Sequence, residues 1–238
     1  IHLENAISEL SDVPNIKPFV EVNPHKESLT KAESLIHMLG TCEDEIPKIE
    51  LDDAVEIVNH AYDLVDEITL QKESLLNQKK HLEKLLEEIE PFRLLDYELH
   101  KILDFEFIRF RFGRIAHEYF QKFSKYGYEN LNTVFYECDR DDSYVWGVYF
   151  VPASTSTKVD AVYSSLHFER LYIADEYEGT PEQAYQKLLL DIDEVSKQMD
   201  ALDDKVKETL ENSRTKVFGA YEELTTYSEN FSIRKMAA

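Results

Sequence analysis

The run LDDAVEIVNHAYDLVDEITLQKESLLNQKKHLEKLLEEIEP, residues 51–91, decides how the rest of the chain is read. Within it Ala54, Ala61, Ile68, Leu75, Leu82 and Ile89 recur every seven residues, with Ile57, Leu64 and Leu85 on the intervening seam. Apolar residues at this spacing keep one stripe of a helix turned toward a partner, the pattern of a coiled coil. Gln71 and Gln78 interrupt the seam. Pro91 lacks an amide donor and is expected to kink or restart the helix before Phe92 to Leu103.

A second run of the same kind follows Thr180. Leu188, Val195 and Leu202 make one seam and Ile192, Met199, Val206 and Ala220 the other, with Ser213 as a weak position. Thr180-Pro181-Glu182-Gln183 supplies its start, with Thr as cap, Pro at the first helical position and Gln three residues after the cap. Between the two runs, 18 of the 28 aromatic residues fall from Asp104 to Tyr172, which marks that segment as a compact core of its own. The flanks Leu51 to Leu103 and Pro181 to Ser228 are instead rich in Leu, Glu, Lys and Gln, which are good helix formers. Two heptad helices that bracket a compact segment bury their seams against each other if the chain goes out, forms a lobe and returns. Pairing of each helix with a second chain satisfies the same spacing.

The bracketed segment alternates pattern. Phe105 to Phe112 reads as a strand ended by Gly113, and Ile115, Tyr119, Phe120 and Phe123 recur at helical spacing up to Gly127. Leu131 to Cys138 and Tyr144 to Val151 are two further strands, joined by the polar loop Asp139 to Ser143. Ser154 to Leu166 is a second helix and Phe168 to Ile173 a last strand. The order β-α-β-β-α-β is the ferredoxin-like split arrangement, in which both helices cover one face of an antiparallel sheet. The expected fold is therefore α+β: a long antiparallel coiled-coil helical hairpin with a ferredoxin-like distal lobe and an incomplete α/β proximal lobe. Its divisions are a partial proximal lobe at 1–50, an outgoing helix at 51–103, the distal lobe at 104–174, a returning helix at 175–228 and an exit strand at 229–238. Ile1 to Leu3, the proline-bearing segment Val13 to Pro24, a short helix from about Ser28 to Leu39, and Phe231 to Ile233 are expected to build the base, whose sheet lacks strands at both ends.

Composition narrows the function classes. In 238 residues that are 43% hydrophobic, there is enough apolar material for a real core, and six Gly with seven Pro are too few for a loop-rich chain. Cys42 and Cys138 make no disulfide framework, and the longest apolar run, Val145 to Val151, is far short of the roughly 20 residues of a membrane-spanning helix. The chain does not begin with Met, so a start inside a longer protein is expected. The 48 acidic against 26 basic residues give a formal charge of −22, which repels nucleic acids and anionic lipid; a solvated surface that keeps the chain soluble is the simpler reading, and a basic protein partner the other.

No constellation points to catalysis, a metal or a cofactor. His117-Glu118-Tyr119-Phe120-Gln121 lacks the second His of a zinc-protease motif, and His60 and His81 sit where a solvent-facing helix position is the default. Asp139, Asp141 and Asp142 resemble part of a calcium loop without its glycine turn or terminal Glu, so a solvated hairpin is the better reading. Gly113-Arg114-Ile115 reads as a strand-to-helix turn rather than an anion site. Tyr144 to Val151 is similar to the aromatic sheet motif of RNA-recognition domains, but no basic residue occupies its first position, and core packing is the better reading. The aromatics of the bracketed segment outnumber what one sheet face hides beneath two short helices. Tyr126, Tyr128, Tyr144 and Tyr172 lie near the ends of expected elements, where an amphipathic ring either caps the lobe's own core, the default for any one of them, or is open to a protein partner.

Several stretches resemble one family. Phe105-Glu106-Phe107-Ile108-Arg109-Phe110-Arg111-Phe112-Gly113-Arg114-Ile115 resembles the strand and Gly-basic-Ile turn that open the distal lobe in the cytoplasmic N-terminal half of subunit I of V-type (A-type) rotary ATPases, called subunit a in eukaryotes. Ala116 departs from the Pro common there, which leaves the turn less rigid. Ile1-His2-Leu3-Glu4 is similar to the family's strand after its first helix, and Asn230-Phe231-Ser232-Ile233-Arg234-Lys235 to its exit strand. The resemblance implies a non-catalytic stator collar on the cytoplasmic face of a membrane complex that supports proton or sodium transport. Its implied partners are peripheral-stalk subunits, a central-rotor cap and the chain's own membrane domain, with no cofactor, no nucleic acid and no direct lipid contact by this segment. A coiled-coil arm ending in a dimerising hinge, of the chromosome-maintenance or tethering type, is the rival expectation.

Overall fold

The computed structural model describes residues 22–126 and 131–237, so the expectations placed on Ile1 to Leu3, on most of Val13 to Pro24 and on Gly127 lie outside the described residues. The protein is α+β, and its elements run α1 (Lys26–Leu39), α2 (Leu51–Ile89), α3 (Leu99–Leu103), β1 (Ile108–Ala116), α4 (His117–Tyr126), β2 (Val134–Arg140), β3 (Tyr144–Pro152), α5 (Ser156–Ser165), β4 (Glu169–Leu171) and α6 (Pro181–Ala237). The chain divides into two compact units, residues 1–72 with 201–238, and residues 73–200, so each unit takes one part of α2 and one part of α6.

In the first unit Ala32, Leu35 and Leu39 of α1 share a buried cluster with Ala54, Val58, Ala61 and Val65 of α2 and with Leu210, Val217, Ala220 and Leu224 of α6. The heptad stripe is there, but its intervening seam lies one residue later than the expected Ile57 and Leu64. Val58 and Val65 are buried, whereas Leu64 is 38% exposed. Heptads step by three and four residues in either order, so the spacing alone does not choose between neighbours 57 and 58 or 64 and 65. The next position on this seam is Lys72, whose ammonium pairs with Asp203 at 2.6 Å. Arg214 donates from its guanidinium to the carbonyls of Leu39 (3.0 Å) and Thr41, and so satisfies acceptors at the C-terminal end of α1.

One expectation at the chain end is corrected. Residues 229–237 continue α6 as helix, where an exit strand was expected. The apolar spacing explains it: Leu224 is buried, and Tyr227 and Phe231, four residues apart, bring their rings to 6.4 Å on one helical face. The Ser232 hydroxyl donates back to the Ser228 carbonyl in the same helical register.

In the second unit α2 stops at Ile89, and Pro91 opens a 3-10 turn, Glu90–Phe92, rather than a renewed helix through Leu103. Proline cannot supply the next helical hydrogen bond and its ring collides with the preceding turn. Phe92 thereby drops into the core edge-on to Phe112, with ring centroids 5.1 Å apart. α6 begins with the capping box expected from Thr180-Pro181-Glu182-Gln183. The Thr180 N–H donates to Gln183 Oε1 (3.0 Å) and the Gln183 N–H to Thr180 Oγ1 (3.3 Å).

The sheet has the order β2-β3-β1-β4 with every pair antiparallel. On one face Tyr149 and Val151 of β3 pack with Phe123 of α4 and with Val159 and Tyr163 of α5. On the other, Phe112 and Val148 pack beneath Phe92, Leu95, Leu99 and Ile102, together with Leu85, Ile89 and Leu188 of the long helices. Strand β1 runs on through Gly113, which was expected to end it, to Ala116, so Ile115 is a buried strand residue rather than the first of the helix. Gly113 stands opposite Gly147 on β3. A methyl at Gly113 would overlap the Phe168 ring and the Glu169 carbonyl, and one at Gly147 the Phe135 ring and the Tyr136 carbonyl. Both glycines are strand residues whose missing side chains admit aromatic rings from neighbouring segments. Beside them Asp160 of α5 accepts from Arg111 (3.0 Å) and from the Tyr149 hydroxyl (2.7 Å), which ties α5 to β1 and β3. Burial, and then this carboxylate, push the Tyr149 hydroxyl well above its ordinary range.

Candidate interaction surface

The four tyrosines expected at a partner surface fare differently. Of Tyr126 only the backbone, at the last position of α4, falls among the described residues, and Tyr128 lies outside them. Tyr144 opens β3 and is half-buried, because the Arg114 guanidinium lies over its ring at 4.1 Å and over Trp146 at 5.1 Å. Arg114 also pairs with Glu169 at 2.6 Å. Tyr144 thus belongs to a closed cation-aromatic stack. Tyr172, just past β4, is 74% exposed and carries the Arg170 guanidinium 4.5 Å from its ring centre. Together with Trp146, Lys84, Glu88 and Ile173 it lines a cavity of about 440 Å³. Trp146 therefore borders both Tyr144, at 6.3 Å between rings, and the Tyr172 cavity.

The acidic hairpin is held by its own carboxylate. Asp141 Oδ1 accepts from the amides of Tyr144 (2.6 Å) and Ser143 (2.7 Å), and Oδ2 from the Trp146 indole (3.3 Å). The Tyr144 amide, then the Ser143 amide, hold this carboxyl below the usual carboxylate range. Strand β2 extends to Arg140, so the loop is shorter than expected from Asp139 to Ser143. Among the described residues no group of three or more His, Cys, Asp or Glu is placed to hold a metal ion. His81 lies 3.2 Å from Glu176, and the His117 ring nitrogen lies 3.0 Å from the Asp141 carbonyl. Gly113-Arg114-Ile115 lies within β1, and Arg114 is committed to Glu169. Burial pushes the Cys138 thiol up to about 12, which removes it from nucleophilic chemistry at neutral pH. The sheet face that would stack RNA bases is covered by Phe92, Leu95, Leu99 and Ile102. No helix among the described residues is long and apolar enough to cross a membrane.

One surface was not anticipated. Edge strand β2 leaves Val134 59% and Tyr136 42% exposed, and with Tyr97, Phe105, Ile108 and Phe150 they line an open groove of about 420 Å³. Leu94 and Phe107 are also exposed beside it in the chain. The sequence signal was the alternation of Val134 and Tyr136 on one strand face, but alternation does not reveal which strand is an edge.

No family model matches the chain, and no curated protein matches it. Solved structures do match in fold. One is described as the crystal structure of the cytoplasmic N-terminal domain of subunit I, homolog of subunit a, of V-ATPase. The similarity covers 96% of this chain and 82% of that one, at a TM-score of 0.51 and 13% identity. This is a likeness of fold, and it falls on the family that the segment Phe105 to Ile115 resembles.

Proposed function

We propose that this chain is a non-catalytic stator domain of a V-type or A-type rotary ATPase, standing on the cytoplasmic face of the membrane complex. The carrying observation is the fold likeness over 96% of the chain to a cytoplasmic N-terminal domain of V-ATPase subunit I. In this reading each of the two units is a protein-binding unit. The finer description is a helical hairpin with a ferredoxin-like lobe on residues 104–174, which the antiparallel order β2-β3-β1-β4 supports. The unit of residues 73–200 engages a peripheral-stalk subunit, and the other unit engages a further stalk and the rotor cap. Proton or sodium translocation belongs to a membrane domain joined to it. Net charge −22 suits basic stalk surfaces.

Of the four tyrosines, Tyr172 has the exposed ring suited to act as an anchor. The test is the mass of the chain alone and mixed with peripheral-stalk subunits, followed by titration of Tyr172→Ser. A monomer that forms a heteromeric complex is expected, with roughly tenfold weaker binding, about 1.4 kcal/mol, in the folded variant. Unchanged affinity in Tyr172→Ser removes that residue from the interface. Failure of the intact chain to bind any stalk subunit, or its self-association, removes the stator reading.

A further inference from the structure

The two edges of the sheet are built differently. β4 is only three residues long, so that edge offers little to pair with. β2 spans seven residues and has β3 on one side only among the described residues. Half of an edge strand's backbone donors and acceptors point away from the sheet. Its first half, Val134 to Tyr136, carries no Pro, Lys or bulge to block a further strand. The register irregularity and the charges begin only at Glu137 to Arg140.

The groove lies on the sheet face that Val134 and Tyr136 present. Phe150 and Ile102 line it from β3 and α3, and Tyr97 and Phe105 from the segments on either side of α3. A strand laid beside β2 at about 4.8 Å would turn every second side chain toward that face, in line with Val134 and Tyr136. One carboxylate lines it, and two more stand next to a lining residue in the chain. Asp96 lines the groove, Asp104 and Glu106 bracket Phe105 in the chain, and none of the three has an ion-pair partner among the described residues. A second copy would bring the same carboxylates, and another −22 charges, to the same place.

From the free edge, the apolar groove on its face, and the unpaired Asp96 that lines it with Asp104 and Glu106 beside Phe105 in the chain, we infer that β2 is a docking edge. Its occupant is an extended segment of another protein, apolar at alternate positions and flanked by Lys or Arg, which adds a fifth strand to the sheet. Main-chain hydrogen bonds supply the affinity, and the groove and carboxylates supply selection. The inference stands on these residues and does not depend on the stator reading.

The experiment titrates the intact, isotope-labelled chain with three synthetic peptides. The first alternates Val and Thr over eight residues between pairs of Lys, the second has Glu in place of Lys, and the third is an amphipathic helix former with the same Lys flanks. The first is expected to shift the resonances of Val134 and Tyr136 and to slow hydrogen exchange at β2 amides not bonded to β3, with affinity that falls as salt rises. Val134→Lys and Tyr136→Lys, at exposed positions, should each weaken it at least tenfold. The triple variant Asp96→Asn, Asp104→Asn, Glu106→Gln, which leaves strand and groove intact, should erase the preference for Lys over Glu flanks. Equal binding of the Glu-flanked peptide, equal or tighter binding of the helical one, a footprint away from β2, or no footprint at the highest soluble concentration would each overturn the inference. Dimerisation through β2 would overturn it as well.

Discussion

At the level of single residues, the opposed glycines and the hairpin aspartate are the positions where chemistry is least replaceable. Gly113→Ala should cost about 1–3 kcal/mol, because its methyl meets backbone at Glu169 as well as the Phe168 ring, and backbone has nowhere to go. Thermal unfolding checks this, and Phe168→Ala in the same chain should not restore the loss, since the carbonyl clash persists. Asp141 makes a pH prediction. Its carboxyl is held below the ordinary value by the Tyr144 and Ser143 amides, so its contribution is complete above the unfolded value of about 3.9 and is lost as pH falls through the lower folded value. The amide resonances of Ser143 and Tyr144 should therefore titrate below pH 4, and Asp141→Asn should abolish that step. An unchanged acid titration in the variant would show that another group drives it. Neither role was legible in the sequence. Gly113 reads as a terminator because glycine ends strands more often than it opens space for a ring 55 residues later in the chain. Asp141 was one of three equivalent aspartates until the turn chose among them.

At the level of elements, the helices were the most legible part and their facing the least. The seven-residue repeat located α2 and α6 because it is a local property, and the Thr180 to Gln183 box located the start of α6 for the same reason. Which of two adjacent apolar residues turns inward depends on the partner helices, here Val217 and Leu210 beside Val58 and Val65. That difference gives a paired test: Val65→Asp buries an unpaired carboxylate and should cost about 3 kcal/mol or more, whereas Leu64→Asp, one residue away, should change stability by about 1 kcal/mol or less. Chemical denaturation of the two variants decides it, and equal losses would restore the seam at Leu64. The strands themselves are readable from alternation, but which of them is an exposed edge is not, so the β2 groove has no signature in the sequence comparable to that of tyrosines near element ends. The helical course of residues 229–237 was missed for a related reason. Phe231 to Ile233 is β-prone by composition, and the Tyr227–Phe231 pair that favours helix lies outside that short window.

At the level of the whole molecule, each unit buries its own seams, with no second chain required, and the excess of acid over base repels further copies. The isolated chain should be monomeric by mass measurement, and its melting temperature should rise between low and physiological salt, by about 2–4 °C if screening returns about 1 kcal/mol. A melting temperature that falls over this range would mean that the paired charges, Lys72 with Asp203 among them, outweigh the repulsion. That pair has a second consequence. Seven residues back along α2 and seven forward along α6 lie Val65 and Leu210, and seven more reach Val58 and Val217, all four buried in one cluster. A repeating apolar stripe would by itself tolerate sliding by one heptad, since each step sets one apolar residue against another. Lys72 does not tolerate it: one heptad of slip in one direction takes it from Asp203 to Leu210 and strands its charge against hydrocarbon. The ion pair acts as a detent, adding little when the helices are aligned and opposing shear when a load pulls one along the other.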